Sequence, residues 1–351
     1  MYIRSAGNIS AQHTFGDVPF LTQPVEYSSV RLNCIEPDYK DIIDPRMIRR
    51  MSRIIRMGVA AAMKCLQQGD VKVPDAIVTG TAYGCLQDTD VFLSKMVEQD
   101  ESLLTPTAFI QSTHNTIGAQ IGLMLSSNNY NNAFVHRGFS FESALLDGHM
   151  YIMENPGATV LIGAIDETTD TSHAILKRFG LYKSEPVASF SLYKNKSKGT
   201  IAGEGASFFL LSDTAAANDL AKLDGYHTFY KPTDTHAVKS QITDFLHRHQ
   251  LTMADIDLVI TGNNGDEEND AVYDQLEQSL FNSNTIAKYK HLCGEYPTAI
   301  SFAVWLAAKI INTGTIPATL FIGNNTTSPK RILIYNHYEQ IHHSLFLISA
   351  C

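Results

Sequence analysis

The apolar positions of this chain fall into runs whose period changes from one segment to the next. Residues 105–153 (TPTAFIQSTHNTIGAQIGLMLSSNNYNNAFVHRGFSFESALLDGHMYIM) predict a polar loop, an amphipathic helix, a short buried strand at 133–135, a sharp turn at Arg137-Gly138 and a second helix. A strand that turns abruptly into a helix suits the display of a nucleophile, because a helix N-terminus offers free N–H groups and a partial positive charge. Here the turn carries Gly138, which has no side chain to react.

Other runs flank this stretch. Residues 1–40 hold one or two strands near VRLNCI. Asp44-Pro45 opens a helix that runs to Gly69, since Asp is a good N-cap and Pro is tolerated at the first helical position. Met47, Met51, Ile54, Ile55 and Val59 form its apolar stripe, and Arg46, Arg49, Arg50, Arg53 and Arg56 occupy another face. That basic face reads either as solvated surface or as a docking patch for an acidic partner. Strands are predicted at 74–84, 158–166, after Gly203-Glu204-Gly205-Ala206, and at 258–262, with helices at 88–98, 238–249 and 298–311.

The 351 residues, 44% hydrophobic and 18% charged, suffice for a large core built as two similar halves or one α/β unit. No run reaches the roughly 18 to 20 apolar residues of a membrane span, and MYIRSAGNIS lacks the apolar core of a signal peptide, so a cytoplasmic location is expected. A net charge of −9 argues against nucleic-acid binding. Cys34, Cys65, Cys85, Cys293 and Cys351 show neither disulfide-framework nor metal-ligand spacing, and no metal or cofactor is expected.

The order of these segments resembles the β-ketoacyl synthases of the thiolase superfamily. Laid on that family's pattern without a gap, Asn115 takes the helix start, Ala144-Leu145 an Ala-Ile pair, and Gly138 the place of the catalytic Cys. Gly163, Ala164 and Glu167 loosely match a Gly-Gly-x-Glu strand, and Gly203-Glu204-Gly205-Ala206 matches literally. The glycines there allow close backbone approach, and Glu204 can accept backbone N–H bonds. Anchored on Asp270-Ala271, the first active-site His position falls on Gly262 or, with one gap, Asn263. In the Lys-x-x-x-Gly-His motif, Lys290 and Gly294 match and Glu295 replaces His. Residues 323–326 stand where a Gly-Phe-Gly-Gly-Thr-Asn loop would be.

The resemblance implies an α/β, thiolase-like fold: two related halves, 1–198 and 199–351, in a five-layer αβαβα sandwich with two mixed sheets. It also implies a dimer through the strand Asn131, Asn132, Ala133, Phe134 and Val135, and carrier-protein docking at Arg46, Arg49, Arg50 and Arg53. Condensation needs a thiolate and two neutral imidazoles. All three positions are substituted, so the implied function is a non-condensing, chain-length-factor-like subunit that pairs with an active ketosynthase in fatty acid or polyketide synthesis. The small proteins of aryl polyene and flexirubin-type systems are the nearest in character. The alternatives are an acyltransferase or synthase with another nucleophile, such as Cys85, Cys293 or Ser140 with His136 and His114 nearby, and a homodimeric acyl-binding protein. No Gly-x-Ser-x-Gly elbow supports a hydrolase.

Overall fold

The computed structural model describes residues 1–16, 18–194, 196–322 and 328–351, with backbone alone at 321–322. The segment 323–326, expected as a family loop, lies outside the described residues. No described helix is long and apolar enough to cross a membrane.

The first half supplies β1 (Tyr2–Ile9), β2 (Ala76–Gly80), β3 (Tyr130–Phe134), β4 (Val160–Asp166) and β5 (Gly205–Ser212). The second supplies β6 (Ala221–Tyr230), β7 (Leu258–Thr261), β8 (Thr285–Lys288), β9 (Arg331–Tyr338) and β10 (His342–Ser349). Their spatial orders are β3-β2-β4-β5-β1 and β8-β7-β9-β10-β6, the same arrangement twice. In each, the second strand lies parallel to the third and fourth, and the fifth is antiparallel to the fourth and first. Because β5 completes the first copy, the repeat divides after Ser212 and not at 198/199. The two expected sheets are joined into one hydrogen-bonded order, by the pairs Tyr2↔Lys222 and Ile3↔Ala221.

Period-two alternation explains the layers. On β4, Val160, Ile162 and Ala164 face a central core, whereas Leu161 and Ile165 face an outer one; on β5, Phe209 and Leu211 oppose Phe208 and Leu210 in the same way. The central core holds the helices Ser140–Glu154 and Ile300–Thr313 with strands of both halves. Ile300–Thr313 is apolar nearly all round because protein surrounds it. Helices Arg53–Gln68 and Thr116–Met124 cover the first half outside, and Thr235–Arg248 and Glu267–Ser279 cover the second, giving five layers.

Three expectations need correction. The N-terminal strand is β1, which gains partners on both edges, while 30–35 runs along the Glu204 segment through Leu32 N→Ala202 O and Cys34 N→Glu204 Oε1, each 2.8 Å. The arginine-rich helix is broken: Pro45–Ile48 ends in tight turns, Ser52 is extended, and a new helix starts at Arg53. Finally, the strand expected as buried at 133–135 and as Asn131 to Val135 is Tyr130–Phe134, half-exposed at the sheet edge, with Val135 beyond it and 47% exposed. The outer edge of β8 is covered by the two-residue strand Phe321–Ile322; β3 carries no such cover among the described residues.

Candidate functional site

β3 delivers the chain to a single 3-10 turn, Arg137–Phe139, from which the central helix Ser140–Glu154 departs. Arg137 sits in the left-handed region at φ 46°, so the sharp turn read from the sequence is present. Ser140 pins it: its Oγ accepts from His136 N–H and donates to Arg137 O, both 2.8 Å. That occupation makes Ser140 a structural hydrogen-bonder. A Cβ at Gly138 would lie 2.7 Å from Tyr338 Cβ and 2.9 Å from His342 Cβ. The space beside Gly138 is therefore filled from the β9–β10 hairpin, whose His342 ring stands edge-on to Phe139 at 4.7 Å.

The remaining substituted positions lie where β7 ends and where the short helix Lys290–Cys293 ends. Gly262 is wedged against Asn336 Oδ1 and the Tyr273 hydroxyl, with no room for a side chain. Asn263 is fully buried and accepts from Thr261 Oγ1 at 2.8 Å, while its amide nitrogen has no partner. Glu295 is buried against the Lys290 ammonium at 2.5 Å and Asn264 Nδ2 at 2.8 Å. Burial pushes its carboxyl up, and Lys290 opposes that rise. A carboxylate held by an ammonium in this way offers an acceptor where an enolate oxygen would need a donor.

Beside Glu295 and Tyr338 lies a cavity of about 20 Å³, lined by Leu181, Tyr182, Asn264 and Glu339 among others of the described residues. That volume suits one water and no acyl chain. Tyr338 borders both the Gly138 turn and this cavity. Tyr338 thus links the Gly138 turn to the cavity beside Glu295.

The other candidate nucleophiles are not poised. Burial raises the Cys85 and Cys293 thiols well above the ordinary range. His114 packs against Gly84, where a Cβ would meet its ring at 2.9 Å. The arginines divide: Arg46, Arg49 and Arg50 are exposed, but Arg53 turns inward, placing Nη1 2.8 Å and Nη2 2.5 Å from the two oxygens of Glu204, and Nε 2.5 Å from Glu36. Glu204 also accepts Cys34 N–H at 2.8 Å and Thr168 N–H at 3.2 Å, which fulfils the backbone-acceptor role expected of it. Beside it, a Cβ on Gly203 would meet Cys293 O at 2.1 Å, so the glycine is needed for close approach.

A model of the β-ketoacyl synthase N-terminal domain matches residues 32–222. The chain belongs to the β-ketoacyl synthase family. No curated protein sequence matches it significantly. Among solved structures, the ishigamide ketosynthase/chain length factor superposes with a TM-score of 0.81 at 15% identity, covering 100% of this chain and 98% of that one. A ketosynthase (ApeO) in complex with its chain length factor (ApeC) from Xenorhabdus doucetiae gives 0.77 at 15% identity, with 100% and 98% covered. A β-ketoacyl synthase from Burkholderia phymatum gives 0.77 at 13%, with 100% and 99% covered. At these identities the likeness establishes the thiolase-like fold.

The family pattern singled out Gly138, Gly262 or Asn263, and Glu295, and gave no sign of what packs against Gly138. Tyr338 and His342 lie far along the chain from Gly138, joined by a hairpin whose Glu339 and Gln340 take left-handed φ of 53° and 52° without the usual glycine. The one available signal was the loss of a side chain at 138, which permits a bulky neighbour.

Proposed function

We propose that this chain is a non-condensing subunit of a ketosynthase pair, shaping fatty acid or polyketide assembly by a partner that carries the nucleophile. The filled Gly138 turn carries the reading: Tyr338 and His342 stand where a reactive side chain would project. The ishigamide and ApeO–ApeC structures, each described as a ketosynthase with a chain length factor, support it by fold and by near-complete coverage.

The bare edge of β3 supports pairing. Beside it, Leu146, Met150 and Met153 of the central helix are 50%, 51% and 70% exposed, and Tyr130 of the strand stacks on Tyr151 of that helix at 5.5 Å. An unpaired edge flanked by apolar side chains is a template for another strand. Asn131, Asn132, Ala133 and Phe134 would then lie at the interface, with Val135 just beyond. An acyl carrier protein would meet Arg46, Arg49 and Arg50 as exposed cations, with Arg53 excluded by its ion pairs. Cytoplasmic assembly fits such a role.

The test is co-expression with a ketosynthase that retains Cys-His-His from the same host, followed by size-exclusion chromatography and a malonyl-dependent condensation assay. A stoichiometric heterodimer whose activity is lost by Cys→Ala in the partner alone is expected. Ketoacyl product from this chain in isolation would refute the reading.

A further inference from the structure

A second cleft, whose lining does not include Gly138, lies where the turn Ser189–Ser191 of the first half meets the helix Lys290–Cys293 and β8 of the second. Its volume is about 520 Å³, within the range that holds small ligands. Phe190, the Tyr193 ring and Leu320 supply apolar walls, and Lys194, Lys288, His291 and Thr319 supply polar atoms.

Two of these polar groups, Lys288 and His291, are buried. Lys288 is 4% exposed, with its ammonium 2.8 Å from Glu277 and 5.5 Å from the centre of the Tyr193 ring. His291 is 3% exposed. The Tyr193 hydroxyl accepts the His291 backbone N–H at 3.1 Å and lies 3.2 Å from His291 Nδ1. In the tautomer where the hydroxyl donates to Nδ1, the imidazole proton is on Nε2. Burial holds the imidazole pKa down to about 4, so the ring is neutral near pH 7. Its Nε2 faces the Thr319 backbone without completing a hydrogen bond of normal geometry, and Thr319 Oγ1 is also unbonded.

The cleft thus presents two ammonium groups, an imidazole N–H and a hydroxyl, against one carboxylate that is committed to Lys288. Buried donors left without acceptors are costly, and a ligand supplying acceptors relieves that cost. We propose that this cleft binds a small amphipathic carboxylate, its apolar body between Phe190, Tyr193 and Leu320 and its anionic end toward Lys288, Lys194 and His291. The site is independent of the remnant condensing cavity: Lys290, next in sequence to His291, points away from it to Glu295.

The test is titration of the purified chain with 2-naphthoate and with the neutral 2-naphthylmethanol, read by naphthalene fluorescence and by ligand-observed NMR. The carboxylate is expected to saturate one site, at least about tenfold tighter than the alcohol. Lys194→Glu, a change at an exposed side chain that leaves the fold intact, should weaken naphthoate by about tenfold, as about 1.4 kcal/mol does. His291→Phe should weaken it further while sparing the alcohol. Equal binding of acid and alcohol, absence of saturation, or affinity unmoved by Lys194→Glu and His291→Phe would each overturn the assignment. Neither arm depends on a ketosynthase partner.

Discussion

A side chain added at position 138 has nowhere to go, since Tyr338 and His342 already stand within 3 Å of where its Cβ would be. Gly138→Cys should therefore cost about 1–3 kcal/mol, the usual penalty of overpacking, seen as a lowered urea midpoint. The same variant should yield no ketoacyl product from malonyl thioester, because Asn263 and the Lys290–Glu295 pair supply no imidazole. Product from the single mutant would show that those positions are misassigned. A second residue carries a pH signature. Glu142, on the central helix, is fully buried with neither carboxyl oxygen hydrogen-bonded; the Ser344 hydroxyl approaches without bonding geometry, and burial raises the pKa to about 7. Unfolded, it titrates near 4.5. Between those values the folded state binds more protons, so stability falls as pH rises through the window. Glu142→Gln should be nearly neutral at pH 5 and stabilising at pH 8, by an amount on the order of 3 kcal/mol. Asp166, raised by burial to about 6, acts in the same direction; His343, held by burial to about 4, acts oppositely from about pH 4 to 6.5. Comparing variant with wild type at both pH values isolates Glu142, and a pH-independent difference would refute the assignment.

Among elements, the helix beginning at Arg53 shows how a long-range contact overrides a local pattern. The arginines at 46, 49, 50 and 53 share helical spacing, and an unbroken helix would have set them on one face. The chain instead breaks before Arg53, so that its guanidinium grips Glu204, which is wholly buried. Removing Arg53 leaves a buried carboxylate without its countercharge. Arg53→Met is expected to cost about 3 kcal/mol, and Arg53→Met/Glu204→Gln to recover a good part of that, in a double-mutant cycle by chemical denaturation. Strictly additive effects would show that the two groups are uncoupled. The acceptor role of Glu204 was legible because glycines on both sides of a Glu, ahead of an apolar run, mark a backbone approach. The inward turn of Arg53 was not, because its partner lies 151 residues away. Similarly, the helix–turn–helix plan around Gly138 followed from period and turn residues, but the hairpin that seals it came from β9 and β10.

For the whole molecule, the repeated strand order makes the two halves comparable, and their edges differ. β8 is capped by Phe321–Ile322, whereas β3 has no neighbour on its outer edge among the described residues and an apolar helix face beside it. Phe134 O accepts from Thr81 N–H on the β2 side, so by alternation Ala133 faces outward, and its N–H is taken up by its neighbour Asn132 Oδ1 at 2.9 Å. Proline is tolerated on a strand edge that faces solvent but cannot donate to a further strand. Ala133→Pro should leave the melting temperature of the isolated chain within a few degrees and weaken pairing at least about tenfold in analytical ultracentrifugation. Unchanged association would place the interface elsewhere.

The sequence by itself determined most of the inner strands and helices, the literal Gly-Glu-Gly-Ala turn, and the want of Cys, His and His at the positions aligned with the family. These depend on each residue's own chemistry and on periodicity within a few turns or a strand. Tertiary structure alone decided that Tyr338 and His342 fill the Gly138 turn, that Arg53 faces inward to Glu204, and that no described strand covers β3. Each of those depends on which distant segment arrives at a given surface, and contacts between segments so far apart leave no trace in the local pattern of either one.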